Sequence, residues 1–485
     1  MKSSQLASFL SDSPFPSSDQ GILFLTIFCL CKVKMALQLK REVSQAFHSL
    51  GKGRQKLPIG REMMQLDKRQ QAILDGKEGE IKAKVMKTLV MYGETFGAEK
   101  MVDITGEYGH LVTSFGLSVM KPVYSLMDRL IEGGAVSAQK FSVDPRPLES
   151  CVPRNLIQDI FFRVMYSKQK DYDEQLKKLG IMAEDAYTCT SYMAEVGNTP
   201  KKGDILSWAE SSAVVYANSV LGARCNRNSG ILDLFGSIVG CVPYFGLLTD
   251  DGRKADWICE VKTSKKPEAQ LLGSAIGMKV MEKVPYVIGL DKYFTSLDED
   301  AKAYLKDFGA ATASNGAVGL YHVENLTPEA TDHGRSLIRE DAQVYVIDDE
   351  ELERVEKSYP VIWKDKSAKP KLAFIGCPHL SSAQLSSWAH RIEESLAAKG
   401  RDKVEIKTIM TAAPQVMEAF KKSKEGKALM ERGVILSHIC PLMYMNNPKC
   451  GTMPVITCSN KLRTYTSARF YREEELLDII TGGRK

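Results

Sequence analysis

What this 485-residue sequence lacks narrows its function before any motif is considered. It has no CxxC pair, so a zinc ribbon or a ferredoxin-type cluster would find no close-spaced ligands. It has no GxxxxGK[ST], GxGxxG, GxSxG or HExxH, which removes the common nucleotide, hydrolase and metalloprotease signatures. It has little excess charge: Lys+Arg 65 against Asp+Glu 60 leaves +5, and no basic stripe is interleaved with aromatics. Nucleic acid is therefore not an expected partner. The apolar run Gly21–Cys31 (GILFLTIFCLC) has 11 residues, short of the roughly 20 that cross a bilayer, and no membrane partner is expected. No repeat of fixed period occurs. Cysteine is not scarce, but its count of 11 is odd and the chain is long. That argues against a secreted disulfide framework and for reduced thiols in an intracellular protein. Cysteines that bind a metal here must converge from distant loops.

Hydrophobic content of 44% and charged content of 26% are ordinary for a globular chain with large cores, and the length allows two or three domains. Residues 1–62 stand apart as an N-terminal extension expected to lie outside the fold. Ser and Pro crowd positions 3–18, and the apolar run begins late for a signal peptide and lacks a small-residue cleavage site. Met35 and Met63 are alternative starts. Residues 35–62 are basic and pass for a weak mitochondrial presequence, so the expected location is cytoplasmic, with mitochondrial as the alternative.

From about Gln65 helical spacing begins, broken at Gly76. MVDITGEYGHLVTSFG reads as a strand running into a glycine-rich loop that carries His110, and FSVDPRP as a strand ending in a proline turn. LLGSAIGMKV is a small-residue helix, and AATASNGAVGLYHVENLTPEA a small-residue loop leading to a strand. DDEELERVEK is a connector helix in a charged stretch, 335–368. KLAFIGCPH, VEIKTIMT, GVILSHICP and PVITCSNK are strands alternating with helices, which predicts a parallel α/β layer. The expected division is 63–350 and 351–485.

The stretch that organises the rest is 187–230. Ala209–Gly222 has few turn breakers and predicts a helix with Glu210, Ser211 and Ser212 at its start, where free N–H groups attract a carboxylate or phosphate. A buried Ser/Ala-rich packing helix is the equal alternative. Cys377 and Cys440 follow apolar strands and precede prolines, and Cys189 precedes a polar turn. Three thiolates from separate loops can hold an iron or iron–sulfur centre and leave a position open, although buried cysteine is more often simple packing. His379 is a candidate acid, ligand or orienting group. His110 is flanked by glycine, Lys461 can pair with a substrate anion or be solvated, and Asp250, Asp251 and Arg253 can be merely a charged turn.

AYTCTSYMAEVGNTP, SWAESSAVVYANSVLGARCNRNSG, GLLTDDGR, a strand ending in GCPH, a strand ending in CP, and TCSNK occur in that order. Together they resemble the large, catalytic subunit of the aconitase X family over roughly 65–485. The resemblance implies an aconitase-like multi-domain α/β architecture around an iron centre, and a dehydratase (hydro-lyase) acting on a small hydroxy acid. Carried over by motif, Cys189, Cys377 and Cys440 match the iron-binding cysteines. Gly109, His110, Leu111, Asp144, Pro145, Glu210, Ser211 and Lys461 match substrate-contacting positions, with His110 and Ser211 the expected catalytic residues. HLVTSFG and AESSAVVYANS are closer to the branch that converts cis-3-hydroxy-L-proline to 1-pyrroline-2-carboxylate. Mevalonate 5-phosphate is the alternative substrate, and a non-catalytic iron-binding protein of the same fold a third reading. The family also uses a small swivelling domain that supplies the proton-abstracting serine. Nothing in the sequence matches it, so a separate small-subunit partner is expected.

Overall fold

The computed structural model describes residues 64–483, all within the unit Met63–Lys485. The expectations for residues 1–62 lie outside the described residues. The helical stretch after Gln65 is two helices, Lys68–Leu74 and Glu80–Thr95, parted by Gly76 and Gly79 at positive φ. Short strands follow: β1 (Met101–Asp103), β2 (Gly109–Leu111), β3 (Phe141–Val143) and β4 (Cys241–Pro243). β1 pairs antiparallel with β4, and β2 pairs parallel with β3. His110 therefore sits in a strand, not in the glycine loop expected. Its neighbours Gly109 and Leu111 are buried like it, and Leu111 packs in the core of this region.

A four-stranded parallel sheet comes next, in the order β7 (His322–Val323), β6 (Pro285–Ile288), β5 (Ala255–Val261), β8 (Ile338–Ile347). β8 arises from the charged stretch read only as a connector. It is an edge strand, so its outward residues meet water and need not be apolar. Helices Ala269–Val280 and Glu299–Asn315 pack on each other closely. A Cβ at Gly273 would collide with the Phe308 carbonyl, and one at Gly277 would lie 2.7 Å from the Thr312 carbonyl oxygen. This contact explains the run of small residues at 310–315. They end a helix that must approach its neighbour, and do not form the expected loop.

A five-stranded parallel sheet completes the fold, in the order β11-β10-β9-β12-β13: β9 (Leu372–Leu380), β10 (Lys407–Ala412), β11 (Ile435–Ser437), β12 (Val455–Thr457) and β13 (Arg469–Phe470). The α/β expectation is met here for β9 to β12, because strands covered on both faces read as largely apolar runs, whereas the two-residue β13 was not expected. Each core Leu, Ile or Phe contributes about 1.5–3 kcal/mol by leaving water. β9 runs on through Cys377 to Leu380, and β11 stops at Ser437, so Cys440 instead caps the short helix Pro441–Met445. Among the described residues, no helix is long and apolar enough to cross a membrane.

Candidate active site

The pairing of β2 with β3 sets the first part of the site. His110 is registered opposite Ser142, and His110 Nδ1 lies 2.9 Å from Ser142 Oγ. The Asn198 amide donates to the Gly109 carbonyl (2.9 Å) and to Ser142 Oγ (3.0 Å). Ser142 Oγ also lies 3.4 Å from the Gly109 carbonyl, to which it can donate, so the direction of its bond with Nδ1 follows the tautomer of the ring. Just past the ends of both strands, the Asp144 amide donates to the Leu111 carbonyl at 3.2 Å. Asp144 Oδ1 is thereby held 3.8 Å from His110 Nε2, too far for a hydrogen bond. Both atoms are buried and have no partner. Burial pushes His110 down to about 4, so the ring is neutral at pH 7. Burial and the nearby Glu210 carboxylate, opposed by Lys461, hold Asp144 well above the usual carboxylate range.

The central stretch joins this pair from the side. The Ala209 amide donates to the His110 carbonyl at 2.9 Å, and the Trp208 ring meets His110 edge-on. The helix that follows is Ser211–Ser219, buried from Ser212 onward. Its start does hold an anion, and the anion is the chain's own Glu210. Glu210 Oε2 accepts from the Ala213 amide (2.7 Å) and Ser212 Oγ (2.6 Å). Lys461 Nζ donates to Glu210 Oε1 (2.5 Å) and to Ser212 Oγ (3.1 Å). Burial alone would raise the Glu210 pKa, but Lys461 and these hydrogen bonds outweigh it and hold the carboxylate ionised. Ser211 is more loosely placed, with Oγ 3.4 Å from Glu210. Ser212, not Ser211, is the hydroxyl fixed between the two charges.

Cys189, Cys377 and Cys440 approach on three separate supports. The Thr188 amide donates to the Val143 carbonyl (2.8 Å), and the Cys440 amide donates to the Arg146 carbonyl (2.8 Å). Segment 143–146 thus carries Asp144 between the two contacts that hold Cys189 and Cys440. Ser459, which caps the Lys461 helix Asn460–Tyr465, donates to the Cys377 carbonyl. His379 ties the three supports together. It lies two residues from Cys377. Its amide faces Cys189 Sγ at 3.5 Å, Nδ1 is 3.0 Å from Thr188 Oγ1, and Nε2 donates to the Ile439 carbonyl at 3.1 Å. Lys306 Nζ holds the His379 carbonyl at 2.8 Å.

Burial raises all three thiols: Cys377 to about 11, and Cys189 and Cys440 also above their ordinary value. Lys461 acts on each of them, Glu210 on Cys189 and Cys377, and Asp144 on Cys189 and Cys440. The three therefore border one volume with the Glu210–Lys461 pair and Asp144. Among the described residues, no three His, Cys, Asp or Glu side chains are gathered into a cage at ligand distance. The donor set fits an iron or iron–sulfur group in kind: three soft sulfurs beside two unpartnered polar atoms.

A pocket adjoins this volume, lined by Thr113, Phe115, Asp144, Arg146, Gln169 and Tyr172. Pro145 also lines it. The Arg146 guanidinium stacks 4.0 Å from the Tyr187 ring centroid, and its Nε is buried without a partner.

Two family patterns match the chain. The pattern described as "Aconitase X first domain" matches residues 63–251, and "Aconitase X second domain" matches 255–357. The chain belongs to the aconitase X family. It is 33% identical over 360 residues to the phosphomevalonate dehydratase large subunit of Thermococcus kodakarensis, covering 73% of this chain and 82% of that one. It is 29% identical to the cis-3-hydroxy-L-proline dehydratase of Hypocrea jecorina, covering 66% of this chain and 52% of that one. The holo-form crystal structure of Thermococcus kodakaraensis aconitase X superposes with TM-score 0.71 at 28% identity, covering 87% of this chain and all of that one. These aconitase X relatives are dehydratases, that is, hydro-lyases.

Of the sequence-predicted residues, His110, Asp144, Glu210 and Lys461 come together with the three cysteines. Gly109 lies in β2 against Ser237 and Phe141, where its missing Cβ leaves room for them. The Leu111 side chain is spent on the core. Arg253 is not a surface turn residue: it is buried and pairs with Glu329 at 2.7 Å. Sequence reasoning missed Ser142, Thr188, Asn198 and Lys306. A serine inside the apolar strand FSV was the one available signal. The others act through contacts that no local pattern encodes.

Proposed function

We propose that this chain is the large subunit of a two-subunit hydro-lyase that removes water from mevalonate 5-phosphate. The observation that carries the hydro-lyase reading is the pair of buried, unpartnered atoms, His110 Nε2 and Asp144 Oδ1, beside three thiols and a lysine. In the reaction, a hydrogen α to the carboxylate leaves as a proton to a serine of the small subunit. The neighbouring hydroxyl takes a proton and departs as water, and the C–H electron pair becomes the new C=C bond. Asp144, its carboxyl held well above the usual range, and His110 Nε2 face the space where that hydroxyl would sit, with Asp144 as the proton donor. Lys461, held against Glu210, offers its charge to the substrate carboxylate. Cys189, Cys377 and Cys440 would hold the iron or iron–sulfur group, which supplies Lewis acidity toward the leaving hydroxyl.

The sequence reading put cis-3-hydroxy-L-proline first, and the similarities reverse that order. Five phosphomevalonate dehydratase large subunits match at 30–33% identity over 74–82% of their length. The two hydroxyproline enzymes match at 27–29% over 52–57% of theirs. The relatives called large subunits also support a separate small subunit. Arg146, whose guanidinium also meets Asp173 at 3.4 Å, is the cation in the adjoining pocket that would meet a phosphate, with Nε unpartnered. The nine described cysteines are free thiols, which supports a reducing compartment such as the cytoplasm.

The test is anaerobic reconstitution with iron and the small subunit, followed by each substrate in turn, with loss of one water read by mass spectrometry. Turnover of mevalonate 5-phosphate, with KM raised about tenfold or more by Arg146→Met, supports the reading. Turnover of cis-3-hydroxy-L-proline alone restores the original order. Turnover of neither by the iron-loaded pair would leave the chain a non-catalytic iron protein.

A further inference from the structure

The helix Leu156–Met165 has two apolar faces, and only one is buried. Inward, Phe162 packs against Tyr444, Gln158 donates to Cys450 Sγ at 3.1 Å, and Tyr166, just past the helix, donates to the Met443 carbonyl at 2.7 Å. That face is seated on the segment that begins at Cys440. Outward, Ile157, Ile160, Phe161 and Val164 follow the i, i+3, i+4, i+7 spacing of a helix face built for burial. With Leu156 and Val119 they are 40% to 78% exposed. Arg154, Asp159 and Arg163 supply charge beside the stripe, as on the rim of an interface. Apolar patches of this kind mark protein contacts.

The position of the stripe indicates its occupant. The Ser118 amide donates to the Met165 carbonyl at 2.7 Å, and the Lys168 amide to the Gly116 carbonyl at 3.3 Å. Phe115 and Gln169, on those same two segments, line the pocket beside Asp144. The C-terminal end of the helix that carries the stripe thus abuts the segments lining the pocket, where a partner completing the site would be seated. We infer that the outward face of Leu156–Met165, together with Val119, is the docking surface for the small subunit. This inference rests on the two-subunit reading above. The partner brings a complementary apolar face and, once seated, closes the pocket to water.

Hydroxyl-radical footprinting tests this on the full chain, alone and with the small subunit of the same organism produced separately. Leu156, Ile157 and Phe161 are expected to be reactive in the free chain and protected in the complex. The double variant I160E/V164E should weaken the measured Kd about 100-fold or more. V344E, which changes an exposed residue of β8, should leave it within about twofold. Circular dichroism and iron content, unchanged in I160E/V164E, separate lost docking from lost folding. Wild-type affinity in I160E/V164E overturns the docking surface while leaving the two-subunit reading intact. Absence of any complex with the wild-type chain overturns both. Protection that grows with concentration of the chain alone assigns the face to a second copy. Protection in the dilute free chain assigns it to the chain's own residues 1–62. Either result overturns the inference.

Discussion

Lys461 Nζ stands 2.5 Å from Glu210 Oε1, and both side chains are almost wholly buried. The two residues are 251 positions apart, so the bond joins the helix after β12 to the helix that follows Trp208. Against burial, which would lower it, Glu210 and the nearby thiols hold the lysine above its ordinary range. Removing one partner leaves the other as a buried, uncompensated charge. Lys461→Met is therefore expected to cost about 3–5 kcal/mol of stability. Glu210→Gln placed on top of it should recover part of that loss, because the unpaired carboxylate goes with it. Urea denaturation of both single variants and the double variant measures the coupling; additive losses would mean that the pair does not act as one unit.

His379 makes a different kind of prediction, since it touches the supports of all three cysteines and no substrate position. His379→Ala should release the Cys189 and Cys440 loops from β9 and weaken iron retention by about 10–100-fold. His379→Gln, which can still donate toward the Ile439 carbonyl, should retain more iron than the alanine variant. Iron per chain after dialysis against a chelator gives the answer. Full retention in His379→Ala would make the residue a packing element only.

The cysteines themselves divide by position. Cys189→Ser, Cys377→Ser and Cys440→Ser should each lose the bound iron. Cys259→Ser, in β5 and far from the Lys461–Glu210 charges, should keep it. Iron analysis of all four, purified anaerobically, checks this. Retained iron in any of the first three would remove that residue from the ligand set.

Much of this was legible in the sequence, and the failures have definite causes. β9, β10 and β12 are buried almost throughout because both faces of their sheet are covered, and their apolar residues could be read directly. The start of the Ser211–Ser219 helix was read two residues early, because Glu210 is its cap and not its first turn. The segment 310–315 was read as a loop because its Thr, Ser and Asn, followed by Gly316, are common in loops. Here they are small so that one helix can meet another. The setting of the His110 ring depends on Ser142 and Asn198, which reach it through strand register and a long-range contact. The outward stripe of Leu156–Met165 could not be told from a core face in the sequence, since periodicity gives a face but not what covers it.

His322 predicts how the fold responds to acid. Its Nε2 donates to the Arg253 carbonyl at 2.8 Å, with Glu329 3.9 Å from the other nitrogen. Burial lowers it to about 4, from an ordinary value near 6.5. A depressed folded-state value means its contribution is fully present above about pH 6.5 and is lost as pH falls toward 4. His110 has the same sense and the same range. Unfolding free energy should therefore fall by about 1.4 kcal/mol per pH unit for each histidine across that window. His322→Gln should remove about one proton from the slope. Parallel curves for wild type and variant would exclude His322 as a source.

Gly230 links packing to the site. It opens the helix Gly230–Val239, and a Cβ there would collide with the carbonyl oxygen of Val112. Val112 directly follows β2, which carries His110. The collision is with backbone, so a side-chain rotation cannot relieve it, and the end of β2 must shift. Gly230→Ala is expected to cost about 1–3 kcal/mol as overpacking. It should also lower kcat by more than the fraction of unfolded chain explains, because His110 Nε2 moves relative to Asp144. Comparing kcat with the folded fraction at a temperature well below Tm separates the two effects. A kcat that simply follows the folded fraction would mean that the strand absorbs the shift before it reaches His110.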